Sequence, residues 1–130
     1  MNISFQRKTD LALGVLRALT KADGRLSGAE LARQVGTTTS YLPQVIAPLI
    51  GAGWINSGRG PGGGYQLTDA AGDLYLLDVL EVTEGPAESG RCILRDAPCP
   101  GETQCGVHVV WTDARRVLVD GLAKIPVELS

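Results

Sequence analysis

The stretch Trp54-Ile-Asn-Ser-Gly-Arg-Gly-Pro-Gly-Gly-Gly-Tyr-Gln-Leu67 decides the fold. Trp54 to Ser57 reads as a short strand and Tyr65 to Leu67 as its partner, with a glycine-rich connector between them, the pattern of a hairpin. A phosphate-binding loop would need a helix N-terminus directly after the glycines, and a Lys-Ser or Lys-Thr pair for the P-loop form. Here a Tyr-Gln-Leu strand follows instead. Glycines let a backbone come close to a ligand surface. Arg59, followed by Gly60 and Pro61, is the one charged group at the tip, placed to enter a minor groove or hold a phosphate.

Upstream of the hairpin the apolar spacing is helical. Leu11, Ala12, Val15, Leu16, Ala18 and Leu19 predict a helix over residues 7–21, with Arg7, Lys8 and Arg17 towards solvent. The segment 22–26 breaks it, with Gly24 as punctuation. Ser27-Gly-Ala-Glu30 has the pattern of a capping box and opens a second helix through Leu31, Ala32 and Val35, stopped at Gly36. A third helix is expected through Leu42, Val45, Ile46, Leu49 and Ile50, with Pro43 tolerated in its first turn and Gly51 and Gly53 at its end. Two short helices joined by a tight glycine-containing turn are either a plain αα-hairpin or a helix-turn-helix. A hairpin placed directly after them is a wing, which favours the second. The residues expected at DNA base edges are Thr38, Thr39, Ser40, Tyr41 and Gln44, at the start of the third helix.

Beyond a polar connector at 68–72, Leu74, Leu76, Leu77, Val79, Leu80 and Val82 predict a helix from near Tyr75 to Gly85 that closes the core of the winged domain. Residues 107–124 then carry Val107, Val110, Trp111, Ala114, Val117, Leu118, Gly121 and Leu122 at three- and four-residue steps. A terminal amphipathic helix must bury its stripe on something. It folds back on its own domain or pairs with a second copy across a two-fold axis. Pairing is the favoured expectation, because it would also space two recognition helices for a palindromic operator. Pro126 ends this helix and leaves a stub of tail.

Between these helices runs Cys92-Ile-Leu-Arg-Asp-Ala-Pro-Cys99-Pro-Gly-Glu-Thr-Gln-Cys105-Gly-Val-His108, with all three cysteines and the one histidine. Three thiols confined to a Gly- and Pro-rich loop read as a metal-binding segment. Structural zinc favours closely paired ligands such as C-x2-C, which are absent between these cysteines, so an iron–sulfur cluster is the favoured occupant. Zinc, unliganded thiols and a Cys–His nucleophile remain as alternatives. No carboxylate partner or substrate pocket is readable for the last, so an enzyme is not expected.

Composition fits one domain with a helical appendage: 130 residues, 44% hydrophobic and 5% aromatic, with a net charge of −2. Residues 1–65 hold seven basic and three acidic groups, and residues 66–130 hold five basic and eleven acidic. A basic front suits a polyanion. No apolar run is long enough for a membrane span, and no signal-peptide core opens the chain, so a cytoplasmic protein is expected. An odd number of cysteines argues against a disulfide framework.

The chain resembles the iron–sulfur-sensing winged-helix transcriptional repressors of the IscR-like and NsrR-like kinds. The resemblance rests on Thr9-Asp-Leu-Ala-Leu13, Ser40-Tyr-Leu42, Arg59-Gly-Pro-Gly-Gly-Gly-Tyr65 and the three-cysteine loop followed by a helix, and it covers nearly the whole chain. It implies a mainly α fold with a small β wing. A winged helix-turn-helix would occupy residues 1–85, a cluster-binding loop 86–106, and a long dimerisation helix with a short tail 107–130. It further implies a homodimer on double-stranded DNA with one cluster, 2Fe-2S or 4Fe-4S, per protomer, responding to nitric oxide, redox state or iron–sulfur supply. Cys92, Cys99 and Cys105 match the cysteine ligands. The fourth ligand is His108 by the IscR-like pattern, or Asp10 supplied by the other protomer by the NsrR-like pattern, and both residues are present. Two departures stand out: the first cysteine gap is one residue longer than in those relatives, and Pro43 replaces a residue that is often polar or acidic and faces DNA. The other reading is a zinc-bound or metal-free winged-helix module regulated by cysteine oxidation or by a protein partner.

Overall fold

The computed structural model describes residues 2–95, 97–98 and 105–129. The chain runs α1 (Arg7–Ala22), α2 (Gly28–Val35), α3 (Leu42–Gly51), β1 (Ile55–Gly58), β2 (Gly64–Leu67), a 3-10 turn (Asp69–Ala71), α4 (Leu76–Glu84), α5 (His108–Leu122) and a closing 3-10 turn (Val127–Leu129). It is mainly helical, with a two-stranded antiparallel wing in the register Ile55 with Leu67 to Gly58 with Gly64. The expected apolar faces form one core. Leu11, Ala12, Val15, Leu16 and Leu19 of α1 meet Leu31 and Ala32 of α2, Leu42, Val45, Ile46 and Leu49 of α3, and Val79 of α4. Ile50, read as part of the buried face, is 39% exposed. Leu42, Val45, Ile46 and Leu49 already fill the inward arc of α3, and the residue after Leu49 is turned away from it. Pro48 lies inside α3 and supplies no N–H to the helix, while its carbonyl still accepts from Ala52.

The helix ends differ in part from the sequence pattern. Ser27 Oγ does accept the Glu30 N–H at 3.2 Å. The Glu30 carboxylate does not return to Ser27. It takes Arg33 at 2.6 Å and Gln34 at 2.9 Å, and the hydrogen bonds from Arg33 first and Gln34 second lower its pKa to about 2. The reciprocal carboxylate bond appears instead on α4, where Asp78 accepts the Tyr75 N–H at 2.9 Å. The start of α1 has no side-chain cap of its own. Glu84, from the last turn of α4, accepts the Gln6 N–H at 2.7 Å and the Thr9 hydroxyl. Thr9 is buried and also meets the Thr83 hydroxyl at 2.7 Å. This polar knot fastens the start of α1 to the point where the chain leaves α4 for the cysteine loop.

The wing is rooted on both sides. The Trp54 N–H reaches the Leu49 carbonyl of α3 at 3.0 Å, and the Thr68 N–H reaches Trp54 at 2.9 Å. Leu26, in the turn between α1 and α2, exchanges both backbone hydrogen bonds with Tyr65 and so acts as a one-residue third strand. Gly64 has φ +117°, and a Cβ there would run into the Leu26 carbonyl, so this crossing requires glycine. The tail, expected as a stub, is built into the winged domain. Val127 is 8% exposed, its N–H donates to Leu74, and the Leu76 N–H donates to Ile125. The backbone thereby returns beside the start of α4.

Candidate nucleic-acid interface and cysteine loop

Thr38, Thr39, Ser40, Tyr41 and Gln44 are all exposed around the first turn of α3. The Thr38 hydroxyl accepts the Tyr41 N–H at 3.1 Å and meets the Ser40 hydroxyl at 3.1 Å, while its carbonyl accepts the Leu42 N–H. Thr38 therefore caps the α3 entry, which fixes the direction in which Thr39, Ser40, Tyr41 and Gln44 project. Arg59, Gly60 and Pro61 form the exposed tip of the wing. Gly60 and Gly62 have φ near +75°, and the Gly63 N–H closes the turn on the Gly60 carbonyl at 2.8 Å. A Cβ on Gly63 would meet the Gly58 and Gly60 carbonyl oxygens at 2.7 and 2.8 Å, so the tip tolerates no side chain there.

The cysteine loop brings two of its donors together. The Cys92 and Cys105 sulfurs are 3.4 Å apart, both half-buried. A short turn holds Cys92: its N–H donates to Ala97 at 3.0 Å and its carbonyl accepts from Arg95. The Cys105 carbonyl accepts the His108 N–H at 3.0 Å, which ties the loop's exit to the first turn of α5. Two thiolates on one tetrahedral metal, each about 2.3 Å from it, stand roughly 3.8 Å apart. The observed spacing is close to that and well beyond a disulfide bond of about 2.05 Å.

Cys99 lies outside the described residues. Asp10 is exposed in the first turn of α1, beside a groove between α1 and α2 that Leu11, Gly14, Gln34 and Val35 also line. His108 is half-buried at the start of α5. Among the described residues of one chain, neither Asp10 nor His108 joins the two thiols to make a group of three metal donors.

The α5 helix rests against α4. Leu122 is buried and Trp111 half-buried, but Val110 and Val117 are each 71% exposed and Leu118 is 44% exposed. Steps of seven and eight residues put Val110, Val117 and Leu118 on one outward face. Trp111 Nε1 is buried with no acceptor among the described residues. No helix among them is long and apolar enough to cross a membrane.

A helix-turn-helix with a wing, exposed polar groups at the recognition-helix entry and a basic wing tip define a winged-helix transcriptional regulator. The comparisons with known proteins agree. The family model of Rrf2, iron-dependent transcriptional regulators, matches residues 5–128, and the chain belongs to that family. The HTH-type transcriptional regulator IscR of Xenorhabdus nematophila is 31% identical over 111 residues, covering 85% of this chain and 67% of that protein. Two solved structures share the fold at TM-score 0.75 and 23% identity. One is CymR, the global cysteine regulator of B. subtilis, covering 98% of this chain and 95% of that one; the other is T. potens IscR, covering 99% and 86%. The relatives are regulators, and this chain is a regulator rather than an enzyme.

The sequence pattern missed three features that the folded chain places at these sites. The Thr9–Glu84 knot pairs residues 75 apart, with no local signature. The Leu26 strand is a single residue, too short for any periodicity. Arg25 appears in the sequence only as one basic group among seven in the front half.

Proposed function

We propose that this protein is an iron–sulfur-dependent, DNA-binding repressor that works as a homodimer on a palindromic site and senses nitric oxide, redox state or cluster supply. The carrying observation is the 3.4 Å approach of Cys92 and Cys105 on a loop joining the last helix of the winged domain to α5. Cys92, Cys99 and Cys105 would hold the cluster, with Asp10 of the second protomer or His108 as fourth ligand. When bound, a cluster supplies iron–thiolate bonds that nitric oxide or oxidants break.

The chain's own residues supply the rest. The α3 entry presents Thr39, Ser40, Tyr41 and Gln44 to base edges, and the wing presents Arg59, Gly60 and Pro61 to the backbone or minor groove. The outward face of α5 takes a second copy. Fully burying one exposed Val or Leu is worth about 1.5–3 kcal/mol. Val110, Val117 and Leu118 from two copies therefore offer on the order of 10 kcal/mol, within the range of about 4–15 kcal/mol that association costs. The Thr9–Glu84 knot fixes the loop's departure point to α1. A change at the thiols is thereby passed to the relative placement of two recognition helices, on which both half-sites depend at once.

Anaerobic purification with iron and sulfide counts and a visible spectrum tests this reading. Iron, sulfide and charge-transfer absorption are expected, and all three should be lost in Cys92→Ala and Cys105→Ala. Asp10→Ala and His108→Ala should separate the two candidate fourth ligands. Iron-free, colourless protein would contradict the proposal.

The same sulfur contact favours a second reading, a metal-free thiol switch. The Cys92 and Cys105 thiols would need to close by about 1.4 Å to reach disulfide length. They would give two protons and two electrons to an oxidant. Oxidant-sensitive DNA binding in iron-free protein, reversed by a dithiol, would select it.

A further inference from the structure

We infer that Arg25 is a second DNA-phosphate contact of the wing, held at its neck by the hairpin backbone; this rests on the DNA-binding reading above. Arg25 lies in the turn between α1 and α2, directly before the residue that pairs with Tyr65. Its Nη1 donates to the Gly64 carbonyl at 3.3 Å. The same nitrogen would be 2.7 Å from a Cβ on Gly58. Gly58 and Gly64 are the last paired residues of the hairpin, so the guanidinium covers its outermost rung, and a Cβ at position 58 would make it shift.

Arg59 is the next residue along. Two cationic side chains therefore flank the neck and tip of one exposed hairpin, and among the described residues neither has an ion-pair partner. Elsewhere the arginines Arg33 and Arg116 are paired with Glu30 and Asp113. Two neighbouring like charges repel each other and raise the local potential, an arrangement that suits a polyanion laid across the hairpin. A guanidinium has five N–H donors in a fixed fork. One is spent on the Gly64 carbonyl, which orients the group and leaves the others for a phosphate. The contact is with the backbone of DNA and carries no base preference.

The test is DNA affinity across a salt series for the intact protein and for Arg25→Ala, Arg25→Gln and Arg25→Lys, with circular dichroism verifying the fold. Two probes are used: a duplex recovered by in vitro selection with the unaltered protein, and a scrambled duplex of the same length. One lost phosphate contact lowers the salt slope by about 0.9, or about 1.8 for a dimer, and weakens binding roughly tenfold per protomer near 0.1 M salt. The Ala and Gln variants should show that loss equally on both duplexes, and Lys should keep the slope. An unchanged slope in the Ala and Gln variants overturns the proposal, even with weaker affinity, because the side chain then only props the wing. Failure of the unaltered protein to bind either duplex would instead overturn the DNA-binding reading itself.

Discussion

The winged front and the cysteine-to-α5 rear are built on different terms. In the front, apolar residues from four helices bury one another almost completely, and helix ends are capped from within or from a neighbouring element. In the rear, α5 leaves valines about 70% exposed, and the loop before it carries the paired Cys92 and Cys105 sulfurs. The core of the front also takes in Val127, from the tail that follows α5. The rear has an exposed apolar surface and a pair of thiols, the two features on which the proposed dimer and the proposed cluster rest.

Substitutions on the two sides should therefore act on different measurements. Leu49→Ala should have the largest effect on the front. Leu49 is fully buried where α3 meets the wing, and its loss should cost about 2–5 kcal/mol in denaturant unfolding. A smaller cost would mean that this junction is looser than the packing indicates. Val117→Glu should leave the thermal midpoint of the front nearly unchanged but shift the oligomeric state to monomer in analytical ultracentrifugation, weakening association at least tenfold. A dimer that survives it would move the interface off α5. Thr9→Val keeps the volume and removes the hydroxyl bonded to Glu84 and Thr83, and about 1–2 kcal/mol of stability should go with it. No change would show that the knot joining the two regions contributes little.

The smallest effect concerns pH. The folded pKa of Glu30 is lowered from 4.5 to about 2 by Arg33 and Gln34. A lowered carboxylate stabilises the fold above its unfolded value, and that contribution fades as pH falls from about 4.5 through 2. The pair is on the surface and screened by solvent, so Glu30→Gln should flatten only a slight slope in the melting temperature across that window. A large change would mean that the α2 entry carries more of the fold than its exposure indicates.

Much of the fold was legible because it is local. The α1 spacing gave every buried apolar residue of that helix, and the glycine run between Trp54 and Tyr65 gave the wing. The failures have two causes, a local competitor for a side chain and a partner distant in sequence. Glu30 has the spacing of a capping box, but Arg33 and Gln34 compete for its carboxylate and win. Val127 looked like tail because its partner Leu74 lies 53 residues earlier. Thr38, Thr39, Ser40, Tyr41 and Gln44, and Arg59, Gly60 and Pro61, are all exposed. The contact between the Cys92 and Cys105 sulfurs was not legible, since C-x6-C-x5-C carries no distances.

The claim that joins front and rear is that the chemical state of the cysteine loop governs DNA affinity. Fluorescence anisotropy under anaerobic conditions, with one operator duplex at fixed salt, measures this directly on protein before and after iron removal. The account predicts a difference of roughly 5- to 150-fold, the usual range for coupling between two sites. Equal affinity in the two states would contradict it.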